Sequence, residues 1–258
     1  MEFLATYFIS FILYSVLGYI AEVFYVFILT KKITNRGFLY GPVVPIYGFG
    51  ALLILATLLP VYNLHTWYCP IIIFVAGFLL TSALEYFGSF LIEVIFHMRL
   101  WDYSEHKFNI NGRVCLLNSS LFAVLVMGVM YGLNPYVILW LINLLKELSI
   151  YAFYAVALGL FIIFSNDFSF SLKKHIELAK VIGYMKRAAL ALQNGVDLIK
   201  EKTEGIKDAL QNKLSQAKNS KLLENVKLHY PSFKISVNKR RMSLSEFVEA
   251  VKKRIKGE

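Results

Sequence analysis

The chain has 258 residues, of which 57% are hydrophobic, 16% aromatic and only 17% charged. A soluble domain typically carries about a quarter charged residues, so composition excludes an ordinary soluble protein. The charge is also split: residues 1–170 hold seven basic and eight acidic side chains, residues 171–258 twenty and nine. The formal net charge of +10 therefore belongs to the last third of the chain.

A membrane-spanning helix needs about 20 largely apolar residues, because hydrocarbon offers an unpaired backbone no water. The pattern predicts five: Phe3–Leu29, Val44–Tyr62, Cys69–Met98, Cys115–Leu133 and Tyr136–Phe164. The first and third are long enough to tilt or to extend beyond the hydrocarbon. Tyr62, Trp67, Tyr68, Trp101, Tyr131 and Tyr136 near span ends suit interfacial belts. The N-terminus lacks a positive flank and a small-residue cleavage site, so it does not read as a cleavable signal peptide.

The intervening segments set an orientation. Lys31, Lys32 and Arg36 follow the first span and Arg99, Lys107 and Arg113 the third, whereas 63–68 and 134–135 have no Lys or Arg. By the positive-inside rule the N-terminus is outside and the C-terminus cytoplasmic, in the plasma membrane. The expected fold is all-α: a five-helix transmembrane domain over 1–166 and a basic cytoplasmic tail over 167–258.

Spans one and three align as copies. Offset by 71 residues, Thr6, Ser10, Tyr14, Gly18 and Glu22 fall on Gly77, Thr81, Glu85, Ser89 and Glu93. Members four apart touch on a helix surface. Each hairpin then has an Asn/Arg/Gly loop, Asn35-Arg36-Gly37 and Asn111-Gly112-Arg113. A parallel two-hairpin repeat explains this; chance within the restricted alphabet of spans is the alternative.

Ionisable side chains inside a bilayer are costly and are functional candidates by default. Here they are Glu22, Glu85, Glu93, Lys146 and Glu147. At about 1.5 Å per residue, Glu85, Lys146 and Glu147 would form a midplane layer, with Asn143 one turn from Glu147. Glu22 and Glu93 would form a second layer near the cytoplasm, with Arg36 and Arg113 in reach. Structural ion pairs and a cation, proton or headgroup site are the two readings of these layers. The first cytoplasmic loop, from Asn35 to Gly48, is rich in Pro and Gly and must be extended or re-entrant. Its free backbone donors would bind an anion, or it is simply a tight connector. The second loop presents Trp101 and Asp102 at the interface.

Cys69 and Cys115 are too few for a disulfide framework, and no ligand spacing implies a metal or cofactor. A Walker loop, an HExxH helix and a GxSxG elbow are all missing; any ATP would be hydrolysed by another chain.

Glu22, the run NRGFLYGPVVPIYG (35–48), Glu93, LWDYS (100–104) and NGRVC (111–115) together resemble the type IV ABC-transporter (CmpB-like) membrane protein family, over about residues 5–165. The resemblance implies a permease-like role; a separate ATPase subunit is a candidate partner, since the chain carries no Walker loop.

In the tail, Leu178, Ile182, Met185, Ala189, Leu192, Val196, Ile199, Thr203, Ile206 and Leu210 step by four and three. This heptad helix over 178–210 would pair with a second copy or a partner helix, or lie alone on the membrane. Ser243 to Glu246 has capping-box form and opens a short amphipathic helix over 244–256, suited to anionic lipid. Nucleic acid is not an expected partner. Function is then a permease-like transport component; the alternatives are a handler of lipid or lipid-linked substrates, enzyme or flippase-like, and a membrane scaffold or sensor.

Overall fold

The computed structural model describes residues 1–31, 37–96, 99, 101–193, 234–237 and 240–243. Among these residues, five helical stretches are long and apolar enough to cross a membrane: Glu2–Ile28, Pro45–Tyr62, Cys69–Phe96, Leu116–Leu148 and Ile150–Glu177. The chain divides into two compact units, Met1–Gly88 with Tyr103–Leu172, and Ser89–Asp102 with Lys173–Glu258.

In the first unit, helix α1 (Glu2–Thr30) ends where Lys31 turns left-handed (φ 56°) and its N–H donates to Phe27 O at 2.8 Å. Helix α2 (Pro45–Tyr62) starts on Pro45, where a missing N–H is no loss. A Cβ on Gly48 would stand 2.6 Å from Phe11 O, so glycine is what lets α1 and α2 lie backbone to backbone. Small residues serve this purpose in membranes, where packing rather than the hydrophobic effect holds helices together.

Helix α3 (Cys69–Phe96) leads to a small antiparallel pair, β1 (Asn109–Ile110) and β2 (Val114–Cys115), with Ile110 opposite Val114. Asn111 (φ 54°) and Gly112 (φ 67°) make the turn, and Arg113 N–H donates to Ile110 O at 3.0 Å. Asn-Gly is the pair that tolerates two positive φ angles in succession.

Helix α4 (Leu116–Gly128), a π-helical stretch (Val129–Ile138) and α5 (Leu139–Leu148) follow without a break. Pro135 lies inside the π stretch, and Leu139 N–H reaches five residues back to Asn134 O. Proline has no N–H and clashes with the preceding turn of an α-helix; the wider π turn accommodates it. The expected break at 134–135 is therefore not there. The chain turns instead at Ser149, whose backbone is extended (φ −171°, ψ 131°) and whose Oγ accepts from Ala152 N–H at 3.4 Å. The fourth span is longer than predicted and the fifth begins later, at Ile150.

Helix α6 (Ile150–Gln193) runs through residue 166, where the sequence suggested the tail begins. The first unit's core has two parts. Ile9, Tyr14, Ala51, Ile138, Ile142 and Phe153 form one, and Ile54, Leu58, Ile73, Val126 and Met130 the other. Large apolar side chains such as Leu79, Val124 and Ile163 face outward, as lipid contact requires.

The second unit contains the last turns of α3, the later part of α6, and a hairpin of β3 (Lys234–Val237) and β4 (Arg240–Ser243), with Val237 opposite Arg240. This hairpin departs from the all-helical tail that the sequence predicts. Residues 178–193 of the heptad segment are helical within α6; 194–210 and the helix expected over 244–256 lie outside the described residues.

Candidate functional site

The segment after α3 folds back against its own helix. Tyr103 is fixed by its N–H to Gly112 O at 2.8 Å, and its carbonyl accepts from His106 N–H at 2.9 Å. Asn111 Nδ2 donates to the Tyr86 hydroxyl at 3.1 Å, and the Arg113 guanidinium lies 5.5 Å from the centre of the Tyr86 ring. The β1–β2 turn is thereby pinned to α3 about three turns before that helix ends.

This placement brings the Tyr103 hydroxyl to Glu85 Oε1, to which it donates at 3.0 Å. Glu85 is 6% exposed, and its Oε2 is buried without a hydrogen-bond partner among the described residues. The Asn118 side chain, from the first turn of α4, also bonds the Tyr103 phenol. Burial, followed by the neighbouring Glu85 carboxylate, pushes that phenol far above the ordinary tyrosine value, so Tyr103 remains a hydrogen-bond donor.

Further polar groups continue the cluster. Tyr47, near the start of α2, lies in the electrostatic reach of Tyr103. Its hydroxyl makes a long 3.4 Å contact to Glu22 Oε2 on α1. Gly18 leaves the space that the Tyr47 ring occupies. Ser82 and the buried Ser119 share a hydrogen bond of 2.8 Å between α3 and α4. Four helices and one returning loop thus supply oxygen-bearing side chains to the interior of an apolar bundle.

The first loop proves to be tied to α6. Tyr40 N–H donates to Asp167 Oδ1 at 3.0 Å and Gly41 N–H to Asp167 Oδ2 at 2.9 Å. The buried Ser171 hydroxyl joins both, 3.1 Å from Tyr40 N and 3.2 Å from Asp167 Oδ1. The expected free donors are therefore engaged at these two positions by a carboxylate of the chain itself. Asn35 and Arg36 lie outside the described residues; Gly37 has φ 131°.

Lys146 pairs with Glu2 Oε1 at 2.9 Å and stands 5.3 Å from the Phe153 ring centre. It does not join Glu85, because the chain turns at Ser149 and leaves Lys146 and Glu147 at the close of the fourth span. Asn143 and Glu147 are exposed. The expected midplane layer is thus not assembled. In the second unit Glu93 Oε2 pairs with the buried Arg99 Nε at 2.6 Å, where depth alone suggests Arg36 or Arg113. Trp101 and Asp102 are half-buried there.

The residues missed from sequence are mostly neutral. Tyr47, Tyr103 and Asn118 carry no charge, so a search for charges in apolar runs passes over them, and Asp167 was counted with the tail. Among the described residues no three His, Cys, Asp or Glu side chains are grouped to hold a metal ion.

No curated protein and no solved structure matches the chain. The family described as "Putative ABC-transporter type IV" matches residues 9–172. That stretch includes every residue of the Glu85 cluster and the Asp167 tie. The match covers more than half of the chain, and the chain belongs to that family.

Proposed function

We propose that the chain is the membrane-spanning, permease-like component of a transport system, with ATP hydrolysis left to a separate subunit. The observation that carries this reading is the Glu85–Tyr103–Asn118 cluster, inside a bundle whose outer surface is apolar. Buried ionisable groups in membrane helices are characteristic of substrate and ion pathways. Glu22 and Tyr47 extend the polar line toward the start of α2.

The loop charges support a plasma-membrane orientation with the N-terminus outside and the tail in the cytosol. The two-hairpin repeat rests on the 71-residue offset that matches Thr6, Ser10, Tyr14, Gly18 and Glu22 with Gly77, Thr81, Glu85, Ser89 and Glu93. The basic tail would hold anionic lipid, and its heptads a second copy or a partner helix.

The test is purification of the tagged full chain in mild detergent, followed by mass spectrometry. Recovery of an ATP-hydrolysing protein in fixed proportion is the expected result. Recovery of a specific lipid with no such protein would favour a handler of lipid-linked substrates at the cytoplasmic leaflet. Neither, together with unchanged behaviour of Glu85→Gln and Glu22→Gln, would favour a scaffold.

A further inference from the structure

We propose that Glu85 is the anionic ligand of a site for a small monovalent cation, a proton or an alkali-metal ion, within the membrane-spanning bundle. The inference deepens the transport reading and rests on it for the cation's role. The site itself stands on geometry.

A carboxylate buried to this degree is tolerated only when its charge is matched and its oxygens are bonded. Oε1 is served by Tyr103 at 3.0 Å, while Oε2 is buried and has no hydrogen-bond partner among the described residues. Tyr103 supplies a hydrogen bond but no positive charge, since its phenol is a donor and not a cation.

The groups around the site can be named element by element. The returning loop contributes Tyr103, with the His106 ring edge-on behind it, 5.7 Å between centroids. α2 contributes Tyr47, and α1 contributes Glu22 through it. α4 contributes the neutral Asn118 and Ser119. On α3 itself the next residue is Tyr86, with Arg113 over its ring.

One carboxylate against a neutral phenol, with a neutral amide and hydroxyls on the neighbouring helices, balances one positive charge. Oxygen ligands of this kind are hard donors, suited to hard cations rather than to soft metals. A monovalent cation arriving from solution is the partner that completes Oε2. Glu22, half-buried, is a second carboxylate in the same unit, in contact with the Tyr47 hydroxyl.

The experiment uses the full chain in detergent micelles and dicyclohexylcarbodiimide, which modifies protonated carboxylic acids in apolar surroundings. Modification is mapped by mass spectrometry across a pH series, and with sodium, lithium, potassium or choline chloride at equal ionic strength. Glu85 should be modified, and modification should fall as a cation other than choline is added or as pH rises. Protection by an alkali-metal salt at fixed pH identifies a metal site. A half-protecting pH about two units or more above the ordinary glutamate value of about 4.3, with no salt protection, identifies a proton site. An ordinary half-protecting pH with no salt protection overturns the proposal. Tyr103→Phe keeps the carboxylate but removes its hydrogen bond and one neutral oxygen; it should raise the half-protecting cation concentration about tenfold, or, at a proton site, shift the half-protecting pH upward. Absence of modification at Glu85, modification indifferent to both pH and alkali cations, or Tyr103→Phe matching wild type would each overturn the site. A cation-responsive Glu85 in a chain that never recovers an ATP-hydrolysing partner would remove the transport reading and keep the site. The reverse pair of results would do the opposite.

Discussion

The Tyr14 hydroxyl donates to Asn134 Oδ1 at 2.9 Å, joining two buried residues 120 positions apart. The bond ties the middle of α1 to the π-helical stretch that carries Pro135. It gives a buried amide an internal partner where lipid could provide none.

Tyr14→Phe should therefore destabilise the bundle by about 1–2 kcal/mol. Hydrogen bonds between membrane helices average about 0.6 kcal/mol and reach about 1.7, and burial of both partners puts this one at the upper end. Thermal unfolding in detergent of Tyr14→Phe, Asn134→Leu and the double variant checks it. Strictly additive losses would mean the two side chains do not act together.

The Asp167 tie should control how firmly the first loop is held. Asp167→Ala removes the carboxylate from both N–H groups, leaving Ser171 Oγ to Tyr40 and no acceptor from Asp167 to Gly41, and Asp167→Asn keeps one acceptor oxygen. Amide exchange at Gly41 should rise about tenfold or more in the alanine variant, as expected for losing a hydrogen bond to a charged group, and less at Tyr40, which keeps Ser171 Oγ. The asparagine variant should fall between it and wild type. Exchange unchanged in both would show that the loop is held by something else.

Cys69 and Cys115 are buried, 2% and 1% exposed, so neither is a good reporter of orientation. Trp67 and Phe108 are 84% and 79% exposed, in the segments after α2 and α3. In a cysteine-free background, Trp67→Cys should react with an impermeant maleimide applied to intact cells, and Phe108→Cys only after permeabilisation. The opposite pattern would invert the proposed orientation.

Residues 171–258 should bind vesicles containing anionic lipid and release them in high salt, because twenty basic side chains face nine acidic ones. Each basic group near such a surface contributes about 1 kcal/mol, within a Debye length of about 10 Å at 0.1 M salt. Co-sedimentation with neutral and anionic liposomes measures this. Equal binding to both would assign the attraction to the apolar heptad positions instead.

Much of the fold is legible without coordinates. Five apolar stretches appear in the sequence because hydrocarbon permits so few backbone solutions. Four of the five helix starts fall within a residue or two of expectation. The fifth does not, since Asn134-Pro135 reads as a break. A π-helical turn absorbed the proline, and Tyr14 gave the asparagine its bond. Neither event leaves a local trace. Ser149, one extended residue with a capping hydroxyl, carries a weaker sequence signal than the proline it outranks.

The candidate site divides the same way. Charge in an apolar run marks Glu22, Glu85, Glu93, Lys146 and Glu147, because desolvation makes such residues rare. Which of them meet is a matter of tertiary placement. Moving the turn to Ser149 shifts Lys146 to Glu2 and away from Glu85. The fold-back of the 101–115 segment supplies Tyr103 in its place. The sequence by itself determined the membrane-spanning class and the carboxylates worth examining, since both follow from the free energy of placing a residue in lipid. Only the tertiary structure decided their partners, because a hydrogen bond across 18 or 120 residues depends on how helices and loops pack, and no short-range pattern encodes that.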